Sequence, residues 1–211
     1  MNNLKQIELS NKRKNIVQKF EDIATDNLRN AIDLFSNLEY NGKVSVVDSL
    51  LSSFLDNYIP LAKGNSNLRI SGLSEKNDSN VLLFQYYFEK DTLNSYRRLL
   101  DALALYSNEN FKDYKSLVPI IIFDMIPNKR VDMWETLADI KKILGINFKI
   151  MTVYGLWMVK NIKVDFDEFL QLSDFDKIRN GEMEHKIQDK YVGIKEYGDL
   201  LGVKAIMKPI K

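Results

Sequence analysis

Leu117-Val-Pro-Ile-Ile-Ile-Phe123 is apolar at every position, the composition of a strand buried on both faces of a parallel sheet. Working outward, the same alternation continues on both sides. A strand begins at Val81, helical stretches cover residues 91–107 and 131–144, and a further strand covers residues 148–154. Parallel neighbours need crossovers, and both helical stretches are long enough to make right-handed ones.

Upstream, residues 68–73 read as a short strand, and the turn formers of residues 74–80 separate it from Val81 by only seven residues. That gap is too short for a helical crossover, so the two strands should pair as an antiparallel hairpin. The expected fold class is therefore α/β with a mixed sheet. A dinucleotide-binding fold would place a helix after its first strand. The absence of a Gly-x-Gly-x-x-Gly run agrees with that exclusion.

Apolar residues at Ile16, Phe20, Ile23, Leu28, Ile32 and Phe35 predict one amphipathic helix over about residues 10–37. A second helix is expected from about Ser45, ended by Pro60. After residue 154, Gly155 either extends the last strand or bends away from it. Short helices are expected over residues 165–172, 174–188 and 194–202, the last closed by Gly202. The organisation predicted is a core over residues 1–160 and a small helical appendage over residues 161–211. A helix-turn-helix over residues 187–205 is a weaker reading, because its second helix lacks suitably placed basic residues.

The 211 residues, 45% hydrophobic and 28% charged, suffice for one sizeable core. Thirty basic and twenty-nine acidic residues leave a formal net charge of +1, so any nucleic-acid site must be a local patch. With no cysteine, disulfides, zinc–thiolate centres, iron–sulfur clusters and thiol nucleophiles are excluded. His185 is the single histidine, which removes multi-histidine metal sites and disfavours a serine–histidine triad. No apolar run reaches the roughly 20 residues of a membrane span. The N-terminus also lacks a signal-peptide core, and the expected location is the cytoplasm.

Ligands of open α/β sheets gather at the carboxyl ends of parallel strands. That rule selects the strand Phe84-Gln-Tyr-Tyr-Phe-Glu-Lys90, then Asp124 and Tyr154-Gly155. Alternation puts Leu83, Gln85, Tyr87 and Glu89 on one face, opposite Phe84, Tyr86 and Phe88. The polar series lines a cleft or is a solvated sheet face. Asp124 is a metal ligand or a helix cap, although Asn128 and Asp132 lie closer to the next helix start. Trp134 and Trp157 are expected in the core, with Tyr154, Trp157 and Met158 at a homodimer interface as the other reading. Lys12, Arg13 and Lys14, with Arg97 and Arg98, are phosphate-contact candidates weighed against ordinary solvated charge.

The order of a helix, an antiparallel strand pair and a strand–helix–strand crossover, over about residues 10–123, resembles the PD-(D/E)XK nuclease superfamily. That resemblance implies a carboxylate near the second core strand and a Glu/Gln-x-Lys on the third, together holding divalent cations, with the lysine positioning the attacking water. Gln85 matches the Glu/Gln position, but Tyr87 stands where the lysine belongs. Glu89 and Lys90 are the nearest acid and ammonium on that strand. Glu75 or Asp78 would supply the other carboxylate, and Glu21 a further one from the first helix. The implied cofactor is magnesium or manganese, since phosphodiester hydrolysis needs a hard cation with oxygen ligands. The chain also resembles in general character the small proteins of archaeal viruses and plasmids, especially spindle-shaped viruses, where a nuclease similar to Holliday-junction resolvases occurs.

Two functional classes follow from the resemblance. One is a metal-dependent DNA endonuclease acting on branched or damaged DNA. The other is a catalytically inert homodimer on the same fold that binds DNA or protein, which the tyrosine at position 87 favours.

Overall fold

The fold is given by a computed structural model that describes residues 2–23, 28–61, 68–76, 80–88, 93–128, 130–161 and 165–180. Five strands, β1 (Tyr58–Pro60), β2 (Gly72–Lys76), β3 (Asn80–Tyr87), β4 (Leu117–Phe123) and β5 (Lys149–Thr152), form one sheet in the order β1-β2-β3-β4-β5. β1, β2 and β3 are an antiparallel meander, and β3, β4 and β5 run parallel. The hairpin pairs Glu75 with Val81 and Gly72 with Phe84. The mixed α/β architecture is thus the one its apolar runs predict.

β4 occupies the interior of the parallel half, and six of its seven residues are buried. Pro119 lies ahead of the first β4–β5 pair, Ile120 with Lys149. The strand has only one partner there, the setting in which a residue without an N–H is tolerated. Helix α4 (Leu93–Asn110) makes the β3-to-β4 crossover and α5 (Met133–Leu144) the β4-to-β5 one. Gly145 closes α5 in the left-handed conformation, φ 72°, with its N–H on the Lys141 carbonyl.

Two hydrogen bonds assign the faces. Tyr106 of α4 donates to Glu75, whose register partner is Val81, so α4 covers the face carrying Val81, Leu83, Gln85 and Tyr87. Tyr86 donates to Asp48 of α3 (Tyr40–Ser52), so α3 covers the opposite face. Helices α1 (Asn2–Glu21), α2 (Leu28–Ser36) and α6 (Val153–Asn161) pack with α3 on that side. Phe35 is their meeting point, in ring contact with Phe20, Phe88 and Tyr154.

Both sheet edges are protected. Ile150 N–H reaches the Ser173 carbonyl and Phe175 N–H the Phe148 carbonyl, so residues 173–175 lie along β5. At the other edge β1 is three residues long and ends in proline, which discourages further pairing. Helices α7 (Phe166–Leu172) and α8 (Phe175–Asn180) place Phe166, Phe169, Leu172, Phe175 and Ile178 in the same core as the sheet. The remaining expected elements of the appendage, and the helix-turn-helix reading, lie outside the described residues.

Several expected elements take a different form. The helix expected over residues 10–37 is two, since α1 already begins at Asn2 and ends at Glu21, and α2 starts at Leu28. Pro60 does not end a helix; it ends β1, a strand that the sequence reading lacks. The strand expected over residues 68–73 is centred later, over Gly72–Lys76. After Thr152 the chain turns at once into α6. The Thr152 Oγ1 accepts the Gly155 N–H at 2.9 Å, an N-terminal cap written directly after a strand. Every residue from Val153 to Val159 is buried. No helix among the described residues is long and apolar enough to cross a membrane.

Candidate functional site

The nuclease-like candidates are distributed over both faces of the sheet. Gln85 is 2% exposed beneath α4, its Nε2 donating to the Tyr86 carbonyl at 3.0 Å and its Oε1 lacking a hydrogen-bond partner. Glu75 shares that face and accepts from the Tyr106 hydroxyl at 2.5 Å, with Lys112 Nζ at 3.8 Å. Its register partner Val81 precedes Gln85 by four residues, roughly 13 Å at about 3.3 Å per residue. Burial, then Glu75, pushes the Tyr106 hydroxyl up to about 12. Tyr87, at the expected lysine position, is buried with its ring 6.2 Å from that of Phe123.

Glu21 lies on the opposite side of the sheet, where it ties three helices together. Its Oε1 accepts from Lys160 Nζ of α6 at 2.7 Å and from Ser49 Oγ of α3 at 2.8 Å. Burial alone would raise this carboxyl, but the Lys160 and Ser49 hydrogen bonds and the Lys160 charge outweigh it and hold it below its ordinary value. The sheet therefore separates Glu21 from Gln85 and Glu75. Among the described residues, no group of three or more His, Cys, Asp or Glu side chains is placed to hold a metal ion. The described candidates do not fit a shared divalent cation, whose oxygen ligands sit about 2 to 2.6 Å away. Asp78, Glu89 and Lys90 lie outside the described residues.

At the carboxyl end of the parallel strands two acidic residues act on one tyrosine. Asp124 follows β4 with its Oδ1 on the Met125 N–H at 2.9 Å. It caps this turn, while Asp132 takes the position ahead of α5 without a side-chain capping hydrogen bond. Buried Tyr154, at the start of α6, has its hydroxyl pushed up to about 12, first by burial and then by the charges of Asp124 and Asp33, against a hydrogen bond with Ser36. Asp33 and Ser36 come from α2, a contribution that sequence reasoning did not identify.

The cationic candidates are surface groups on different sides of the molecule. Lys12, Arg13 and Lys14 are exposed on α1, and Arg97 and Arg98 are exposed on α4, across the sheet. They do not form one strip. Residues 10–15 of α1 are all exposed, and burial begins only at Ile16 and becomes complete at Phe20. The aromatic interface expected at Tyr154, Trp157 and Met158 is spent internally, for all three are buried within the chain.

A polar cluster that the sequence reading missed lies between α3 and the sheet. The Tyr58 and Tyr86 hydroxyls each donate to Asp48 Oδ1 at 2.7 Å and also touch each other. Gly72 makes room for it, since a Cβ there would run into the Tyr58 ring and hydroxyl. The available signal was a carboxylate inside the apolar run Val46-Val-Asp-Ser-Leu-Leu51. The chain matches no protein-family model, no curated protein and no solved structure.

Proposed function

We propose that this chain is a nucleic-acid-binding module, most simply a DNA-binding one, built on a nuclease-like sheet without a working cleavage centre. The observation that carries the reading is the middle of α1, residues 10–15. A helix polar on all sides gains nothing from a core, yet α1 passes through residues 10–15, all exposed, with Lys12, Arg13 and Lys14 in succession. Three adjacent exposed cations on a helix suit phosphate contacts, whose free energy comes largely from released counterions. The inert half of the reading is supported by the burial of Gln85 beneath α4 and by Tyr87 in place of lysine. The element order of the PD-(D/E)XK resemblance supports the fold analogy.

The test is binding of labelled duplex, single-stranded and four-way-junction DNA at several salt concentrations. Replacing Lys12, Arg13 and Lys14 together by alanine should weaken binding and reduce the salt slope by roughly one unit per lost phosphate contact. Replacing Arg97 and Arg98 asks separately whether the far side contributes. Undetectable binding at low salt, or a triple variant that binds like the wild type, sinks the proposal.

A second reading, a magnesium- or manganese-dependent endonuclease, draws on Asp33 and Asp124 both acting on Tyr154 at the carboxyl end of the strands. Metal-dependent cutting of the same DNAs, abolished by Asp124→Asn or by a Glu89→Ala, Lys90→Ala double variant, would favour it over the inert module.

A further inference from the structure

Asp48, Tyr58 and Tyr86 come from α3, β1 and β3, and their three oxygens make three mutual contacts. Each contact between oxygens requires one proton to be attractive, and each hydroxyl carries one. Two tyrosines therefore supply two protons for three contacts. With an ionised carboxylate, one pair of oxygens would face each other with no hydrogen between them, in surroundings that exclude most of the water able to compensate.

We propose that Asp48 is held as a neutral carboxylic acid that supplies the third proton, and that its ionisation acts as a pH-sensitive latch between α3 and strands β1 and β3. Protonated, Asp48 donates to one tyrosine instead of accepting from it, that tyrosine donates to the other, and the ring closes with each group donating once and accepting once. Loss of the proton removes one contact and places a charge against Tyr86, which is itself 1% exposed.

The charge environment agrees. Burial pushes the Asp48 carboxyl up, and its two tyrosine hydrogen bonds oppose that push without cancelling it. Burial first and then Asp48 drive Tyr58 above the ordinary phenol range against a hydrogen bond with Tyr86, and burial, then Tyr58 and Asp48, drive Tyr86 up, so the carboxyl is the group that gives up its proton. The titratable groups facing it are Tyr58 from β1 and Tyr86 from β3, and among the described residues no cation acts on it.

The latch reaches further than its own contacts. Ser49, the next residue of α3, donates to Glu21 at the end of α1, so the helix that holds Asp48 also seats α1. Loosening α3 would loosen the mount of the exposed cationic segment. The protonation claim itself stands whether or not the chain binds nucleic acid.

The test is carbon-13 NMR of protein labelled at the aspartate carboxyls, titrated with pH. The expected result is one carboxyl resonance that titrates above the ordinary aspartate range and is missing in Asp48→Asn. Tyr86→Phe separates two effects: loss of a hydrogen bond to the carboxylate by itself would raise the midpoint, whereas a ring reduced to one contact needing one proton lets it fall back towards the ordinary range, and the fall is the result expected. Both variants keep the side-chain shape, and a folded spectrum verifies each. If every aspartate titrates normally, or if Tyr86→Phe leaves the raised midpoint in place, the proton-sharing ring is wrong. Protection of α3 and α1 amides, once the intrinsic rise of exchange with pH is divided out, should drop above the midpoint in the wild type and stay constant in Asp48→Asn. Exchange that ignores the titration would leave a neutral acid but remove the latch.

Discussion

Phe111 follows the last turn of α4 with φ 52° and 97% of its surface exposed. The left-handed region suits glycine there, and a bulky residue pays for its Cβ with no burial in return. Phe111→Gly should therefore raise stability by about 1 kcal/mol, read as a later midpoint in chemical denaturation. An earlier midpoint would mean that the ring has a packing role. Gly72 has the opposite character. Alanine there meets the Tyr58 hydroxyl and the ring carbons beside it, an overpacking expected to cost about 1–3 kcal/mol. The penalty should survive Tyr58→Phe, which keeps those carbons, and ease in Tyr58→Ala. If Gly72→Ala unfolds at the wild-type midpoint, the close approach is relieved elsewhere.

At the scale of elements, α1 is held by its C-terminal half. Phe20 is fully buried, and Glu21 is fixed by Lys160 and Ser49. Lys160→Met removes the ammonium and leaves a half-buried carboxylate with one partner, at a cost of about 1 kcal/mol. Hydrogen exchange should show faster opening over residues 16–21 with β4 unchanged. Equal acceleration throughout would mean that the ion pair supports the whole fold and not this helix. The contrast between α1 and β4 also explains how much the sequence revealed. β4 and its crossovers were legible because burial on both faces leaves an uninterrupted apolar run. The break between Glu21 and Leu28 was not, since Ile16, Phe20, Leu28, Ile32 and Phe35 keep helical spacing across two helices that pack on the same core. β1 was hidden in Tyr58-Ile-Pro60, too short for a period and ending in a residue that resembles a helix stop. At the site, periodicity named the faces of β3 correctly, but only the register revealed that α4 buries Gln85. The contribution of α2 at Asp33, and the convergence of Asp48 with two tyrosines, depend on long-range packing that no local pattern encodes.

For the molecule as a whole, these carboxylates set opposing responses to pH. Glu21 is held low by Lys160 and Ser49 despite burial, and Asp174 by Lys149 and Lys177, again with burial opposing. Lowered groups contribute stability above their unfolded values, and that contribution is lost as pH falls through the folded ones. Asp48 is raised by burial, so its contribution is complete below the unfolded value and declines as pH rises through the folded one. Denaturation followed across the acid range should therefore show stability climbing as Glu21 and Asp174 ionise, then falling as Asp48 does. Asp174→Asn should flatten the acid limb, because Lys149 at 2.6 Å and Lys177 at 3.1 Å lose the charge they serve. It should also loosen the segment that covers β5, where Asp174 lies between the two backbone bonds that close that edge. Asp48→Asn should remove the decline on the alkaline side and leave the acid limb intact. The two variants thus act on separate limbs. If both flatten the same limb, the assignment of opposite signs to the two carboxylates is wrong, and with it the picture of an ion-paired sheet edge opposite a proton-sharing seam beneath α3.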